Sequence, residues 1–168
     1  MNRTGLTRLT VESPLGPLLA VMDRDSLAGL WFYGQKYFPR PETWPETDNG
    51  KMADKVKEWL DSYFDGRKPK VSLKLKPQGT AFQEEVWAEL TKIPYGQTRT
   101  YGQIAQNLVR NKSAGARAVG GAVGHNPISI LIPCHRVVGA DGSLTGYAGG
   151  LDRKKALLSL EGSVWGCT

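Results

Sequence analysis

The sequence predicts an α+β protein in two parts: a small α/β N-terminal domain over residues 1–78 and a mainly helical C-terminal domain over 79–168. Three observations carry that division. Residues 6–34 alternate short apolar runs with turn signals, as antiparallel strands do. Residues 80–162 hold several short helical patterns with recognisable start and stop signals. Pro77 and Gly79 lie between the two parts.

In order, 6–34 reads as two or three strands punctuated by "SPLGP" and "DRDS". Pro39, Pro41 and Pro45 make the next stretch an irregular, mobile connection. Met52, Val56, Trp59, Leu60 and Tyr63 recur at helical spacing, and Gly66 can end that helix. "KPKVSLKLKPQG" alternates again, as a strand does. Nothing in this half looks like chemistry. Thr80 and Gln83 form a capping-box pair, with Phe82, Val86, Leu90 and Ile93 on one face. Thr100 and Gln103 repeat the signature, and a small-residue helix follows over 114–124. The two suggest a helix-turn-helix. "ISILIPCHRVV" is too β-branched for a helix and is expected to be extended. A glycine-rich loop leads to a last helix, with Asp152 as N-cap and Gly162 past its end.

With 168 residues, 40% of them hydrophobic, the chain can bury a core, which excludes global disorder. No apolar run reaches the ~18 residues of a membrane span, and residues 1–16 lack a signal peptide's apolar segment. An intracellular, cytoplasmic location is expected. The cysteines, Cys134 and Cys167, suit a reducing compartment better than a disulfide. With only His125 and His135 beside them, the spacing offers no metal site. The net charge is +6, and Thr91 to Ala140 holds six bases (Lys92, Arg99, Arg110, Lys112, Arg117, Arg136) with no acid. At the chain's average of 16 acids in 168 residues, about five would be expected there. Such a stretch reads as a surface facing a polyanion, or as chance plus a neutral core.

Cys134 is a small buried hydrophobe or, with His135 beside it, a nucleophile. In an extended segment the two side chains point apart, so a direct hydrogen bond needs a turn after Pro133, or a bridging water. Glu161 stands in the last turn of the final helix, against the helix dipole. It is either simply exposed or held by a basic partner such as His135. Gly115, Gly120, Gly121 and Gly124 each cost about 1 kcal/mol relative to Ala inside a helix. Either another helix packs closely there, or a DNA groove does, with Arg117 as the one long side chain reaching in.

"GTAFQEEVW", "IPYGQTRTYGQIA", "RAVGGAVGHNPISILIPCHRV" and "GYAGGLDRKKALLSLEG" together resemble the O6-alkylguanine-DNA alkyltransferases over residues 79–162. The first half is loosely similar to that family's ribonuclease-H-like domain. The resemblance implies single-turnover repair of double-stranded DNA. An alkyl group on O6 of guanine, or O4 of thymine, moves irreversibly to Cys134 after base flipping, without a cofactor. It implies that His135 is the base, acting through a water and oriented by Glu161. Asn126 braces the active-site loop. Tyr101 rotates the target nucleotide and protonates the departing base, and Arg117 fills the vacated stack. Ala118 and Gly120 meet the DNA, while Tyr147, Ala148 and the Val137 backbone line the guanine pocket. A monomer is implied, with cooperative binding along DNA left open. The chain departs from the pattern in about two extra residues in the helix-turn-helix turn, and in Ala148, a serine in some relatives. It also lacks N-terminal cysteines, which in some relatives accompany zinc. Two other readings compete. A lesion-binding relative would lack the acceptor cysteine, which is present here. A Cys–His hydrolase would need a water path and an oxyanion hole that no motif supplies.

Overall fold

The computed structural model describes residues 5–47 and 50–163. Cys167 lies outside them. β1 (Leu6–Val11), β2 (Leu18–Asp23) and β3 (Ser26–Phe32) form an antiparallel meander, with Leu6 opposite Asp23 and Leu18 opposite Phe32. β4 (Lys74–Leu75) joins β3 in parallel at the sheet edge. The longer strand expected from "KPKVSLKLKPQG" is thus only two residues. Lys68 takes a positive φ of 54° on one side, and on the other Pro77 has no amide to donate.

α1 (Lys51–Phe64) lays Met52, Val56, Leu60 and Tyr63 on one face of the sheet. The other face carries Leu19 and Val21, covered by Trp44. The proline-rich connection departs from its expected mobility over residues 45–47. The Arg8 amide donates to Pro45 O (2.9 Å) and the Thr47 amide to Arg8 O (2.8 Å), which docks it along β1.

The second domain contains α2 (Ala81–Leu90), α3 (Tyr101–Asn107), α4 (Ala116–Gly124) and α5 (Leu151–Leu160). β5 (Arg99–Thr100) and β6 (Val137–Val138) form a short parallel pair. Both capping boxes are closed: Gln83 N donates to Thr80 Oγ1 (3.1 Å) and Gln103 N to Thr100 Oγ1 (3.1 Å), with each glutamine returning the bond. Each cap contributes about 1 kcal/mol. Asp152 is not the N-cap of α5. Gly150, at φ 95°, holds that position, and Asp152 stands in the first turn, where its charge favours the helix dipole.

One core runs through both domains. Phe32, Leu30, Tyr63, Val86, Ile128 and Leu157 belong to the same buried cluster. The segment before Cys134 is stitched to the N-terminal sheet, with the Leu30 amide donating to Pro127 O and the Ser129 amide to Leu30 O, both 2.8 Å. Among the described residues no helix is long and apolar enough to cross a membrane.

Candidate active site

Residues 128–138, expected to be extended, are so only at Val137–Val138. Ile130 takes a left-handed φ of 73°, and Cys134–Arg136 form one 3-10 turn before β6. Ile128, Ile130, Leu131 and Ile132 are all buried, and local strand propensity loses to the contacts that fix the bend. Asn126 organises the bend. Its Nδ2 donates to Ile132 O (2.8 Å) and Ile128 O (3.1 Å), and its Oδ1 accepts from Ile128 N (3.0 Å). A β-branched residue at positive φ costs about 1–3 kcal/mol, and such strain gathers at functional sites.

That turn presents Cys134 (5% exposed) and His135 (0%) inside the protein. His135 Nε2 meets Glu161 Oε2 at 2.8 Å. His135 Nδ1 is buried with no hydrogen-bond partner among the described residues. A buried carboxylate accepts, so Nε2 carries the hydrogen and Nδ1 is the bare base. Burial pushes the His135 pKa down, against the opposing pull of Glu161, so the ring is neutral and able to take a proton. Burial pushes the Cys134 thiol up, partly offset by Asn126 and Lys154.

Glu161 is not the exposed, misplaced charge that one reading of the sequence allowed. It is the C-cap of α5, and its side chain is fully buried. Arg136 clamps it with two bonds, Nε to Oε1 (2.7 Å) and Nη2 to Oε2 (2.9 Å), while Tyr63 OH donates to Oε2 (2.6 Å). Burial opposes its ionisation, but the bonds from His135, Arg136 and Tyr63 outweigh burial and hold the carboxyl well below its usual range. Arg136 thus leaves the set of free surface bases.

The cleft beside this site measures about 370 Å³ and includes Tyr101, Gly120, Tyr147 and Ala148 in its lining. Lys36 and Tyr37 of the N-terminal domain complete one wall, where the Tyr37 ring stacks on His125 at 4.0 Å. Val137, expected to line the pocket, is buried and is not part of the cleft's lining. Lys154, fully buried, donates from Nζ to Val137 O (2.6 Å) and Thr145 O (2.8 Å), joining the 3-10 turn to the glycine-rich loop. Burial lowers its pKa to about 8.

α3 and α4 pack against each other as a helix-turn-helix pair. α4 buries Val119, Ala122 and Val123 and exposes Arg117 and Ala118. Its glycines are not needed for internal packing. Gly115, expected inside the helix, is its N-cap; a Cβ at Gly121 or Gly124 would meet nothing within 4 Å, and at Gly120 only the Tyr101 ring at 3.8 Å. The long turn before α4 is tied to α2 by Glu85, whose carboxylate accepts from Val109 N (2.7 Å), Arg110 N (2.9 Å) and Asn111 Nδ2 (2.7 Å).

Sequence reasoning brought out Cys134, His135, Glu161, Asn126 and the cleft residues, and missed Tyr63, Arg136, Lys154, Glu85, Lys36 and Tyr37. Lys154 had a signal: it precedes Leu157 and Leu158 by three and four residues, on the apolar side of α5. Tyr63 had none, since its partner lies 98 residues away.

Residues 81–163 match the family model of the 6-O-methylguanine DNA methyltransferase DNA-binding domain, and residues 6–77 match that family's ribonuclease-like domain. The Methanosarcina acetivorans methylated-DNA–protein-cysteine methyltransferase is 48% identical over 153 residues, 90% of this chain and 96% of that protein. The Haemophilus influenzae protein of the same name is 45% identical over 94% of this chain and 87% of its own length. The Mycobacterium tuberculosis OGT solved in complex with DNA superposes with a TM-score of 0.84 at 44% identity, covering 92% of each chain. The chain belongs to the methylated-DNA–protein-cysteine methyltransferase family, with that family's ribonuclease-like domain and DNA-binding domain.

Proposed function

We propose that Cys134 is the acceptor in this chain, taking an alkyl group once and irreversibly from O6 of guanine in double-stranded DNA. O4-alkylthymine offers the same alkyl ether on a flat ring and is the second substrate. The observation that carries the reading is the buried relay Glu161–His135, whose free Nδ1 belongs to the residue beside the thiol. His135 takes the thiol proton at Nδ1, directly or through one water. The thiolate attacks the alkyl carbon in line, the carbon–O6 bond breaks, and the base leaves with the electron pair. The Tyr101 hydroxyl, at the cleft wall, hydrogen-bonds the departing base. The thioether left on Cys134 has no easy hydrolytic exit, so each molecule reacts once. A reducing, cytoplasmic compartment suits such a thiol.

An alkyl ether inside a duplex is out of reach, so the nucleotide must be flipped into the cleft. The outer face of α4 supports this: its glycines have no internal reason, and a partner approaching from outside supplies one. Arg117 and Ala118 face that partner, and Arg117 would fill the gap in the stack. Asn126 keeps the turn that presents Cys134. Incubation with a duplex carrying O6-methylguanine should add one methyl group per chain, mapped by mass spectrometry to the Cys134 peptide. Cys134→Ala should abolish transfer while lesion binding persists. Modification elsewhere, or more than one equivalent transferred per chain, would overturn the assignment.

A further inference from the structure

We infer that Tyr63, contributed by the N-terminal domain, is a positioning residue of the transfer site, and that its hydroxyl governs the proton affinity of the Glu161–His135 pair. The inference rests on the proposed acceptor role of Cys134. Glu161 Oε2 receives three donors: Tyr63 OH at 2.6 Å, His135 Nε2 at 2.8 Å and Arg136 Nη2 at 2.9 Å. Oε1 receives Arg136 Nε at 2.7 Å. Each donor draws charge from the carboxylate and weakens its hold on the His135 proton. Without the phenol, the carboxylate would pull harder and stabilise the imidazolium.

The phenol is built for this one contact. Its ring stacks on Trp59 (5.4 Å) and meets Phe64 (5.2 Å) and Tyr95 (6.2 Å) edge-on, which fixes its direction. Tyr63 is 1% exposed, and the other buried residues on its face of α1 include Met52, Val56 and Leu60. A phenylalanine would fill that place without taking a hydroxyl out of water. The hydroxyl can only donate here, since burial and the Glu161 charge both oppose its ionisation. The other titratable or charged groups acting on the pair are Arg136, Lys154, Tyr95 and Tyr147. Arg136 and Lys154 both favour neutral His135, the same direction as the Tyr63 hydroxyl.

The test compares the full-length chain with its Tyr63→Phe variant, using the rate of methyl transfer from an O6-methylguanine duplex as a function of pH. Protonation of His135 blocks the base and produces the acid limb of that profile. Tyr63→Phe should move the acid limb up by about half to one pH unit. Site-specific 3-fluorotyrosine at position 63, a stronger donor that keeps the packing, should move it down. This second variant also decides the matter if Tyr63→Phe does not fold. An unmoved limb in variants that fold, with rates lowered equally at every pH, overturns the inference and leaves Tyr63 a merely structural contact. No methyl on Cys134 in the wild type overturns the acceptor assignment and the inference with it. Transfer with an unmoved limb overturns the inference alone.

Discussion

Glu161→Gln should destabilise the protein and disable the base in one step. The wild-type carboxylate takes its bonds from His135, Arg136, Tyr63 and, at 3.4 Å, the Gly96 amide. A glutamine has one accepting oxygen, and its amide would point hydrogens at donors. Arg136, only 11% exposed, would lose its charge partner. Removing one member of a buried pair costs about 3–5 kcal/mol. For a chain of this size that is a drop of roughly 6–20 °C in Tm. The readout is a tryptophan-fluorescence melt at neutral pH. The sign with pH follows from the depressed carboxyl. Its stabilisation is fully present above the ordinary glutamate pKa of about 4.3 and is lost as pH falls towards the lower folded value. The gap between wild type and variant should therefore narrow below about pH 4.5. His135 would gain the option of accepting at Nε2 with its hydrogen on Nδ1, the wrong tautomer for taking the thiol proton, so transfer should slow as well. A Tm loss under about 2 °C, or a gap that stays constant through acid pH, would refute the clamp as drawn.

Other outcomes follow from separate parts of the structure. Arg117→Ala should slow repair in duplex DNA by roughly 5- to 150-fold, on the scale of one lost stacking contact of about 1–3 kcal/mol, and spare the reaction with free O6-alkylguanine base; equal losses in the two rate constants would remove its role in extrusion. Gly149→Ala would set a Cβ 2.6 Å from the Tyr147 ring and 3.2 Å from Phe32. It should cost about 1–3 kcal/mol, measured by urea unfolding, and narrow the cleft. Between its folded pKa of about 8 and the ordinary 10.5, Lys154 binds a proton only in the unfolded chain, so it makes stability rise with pH through that window by up to about 3 kcal/mol. That rise should be absent in Lys154→Met, so the stability difference between wild type and variant should change through this window; a difference that stays constant with pH would refute it. Affinity for undamaged duplex should fall with salt at about −0.9 in log–log slope per phosphate neutralised, and a flat titration would remove the polyanion reading of residues 91–140.

By itself the sequence determined what depends on neighbours a few residues apart. The three strands, the α1 face and both capping boxes are local patterns, and they formed as read because side-chain period and cap chemistry act within one or two turns. It also singled out Cys134, His135 and Glu161, the last because a carboxylate at a helix C-terminus is locally wrong. Tertiary structure decided the rest. Residues 128–132 look like a strand but bend, because the three Asn126 bonds hold the turn against β propensity. Glu161 gains its meaning from Arg136 and Tyr63, 25 and 98 residues distant, and the cleft gains Lys36 and Tyr37 from the other domain. The glycines of α4 could have served internal packing or an outside partner, and only the empty space around Gly121 and Gly124 separates those readings. Contacts made across the chain leave no periodicity to read, so the partners of each buried charge appear only once the two domains close over a shared core.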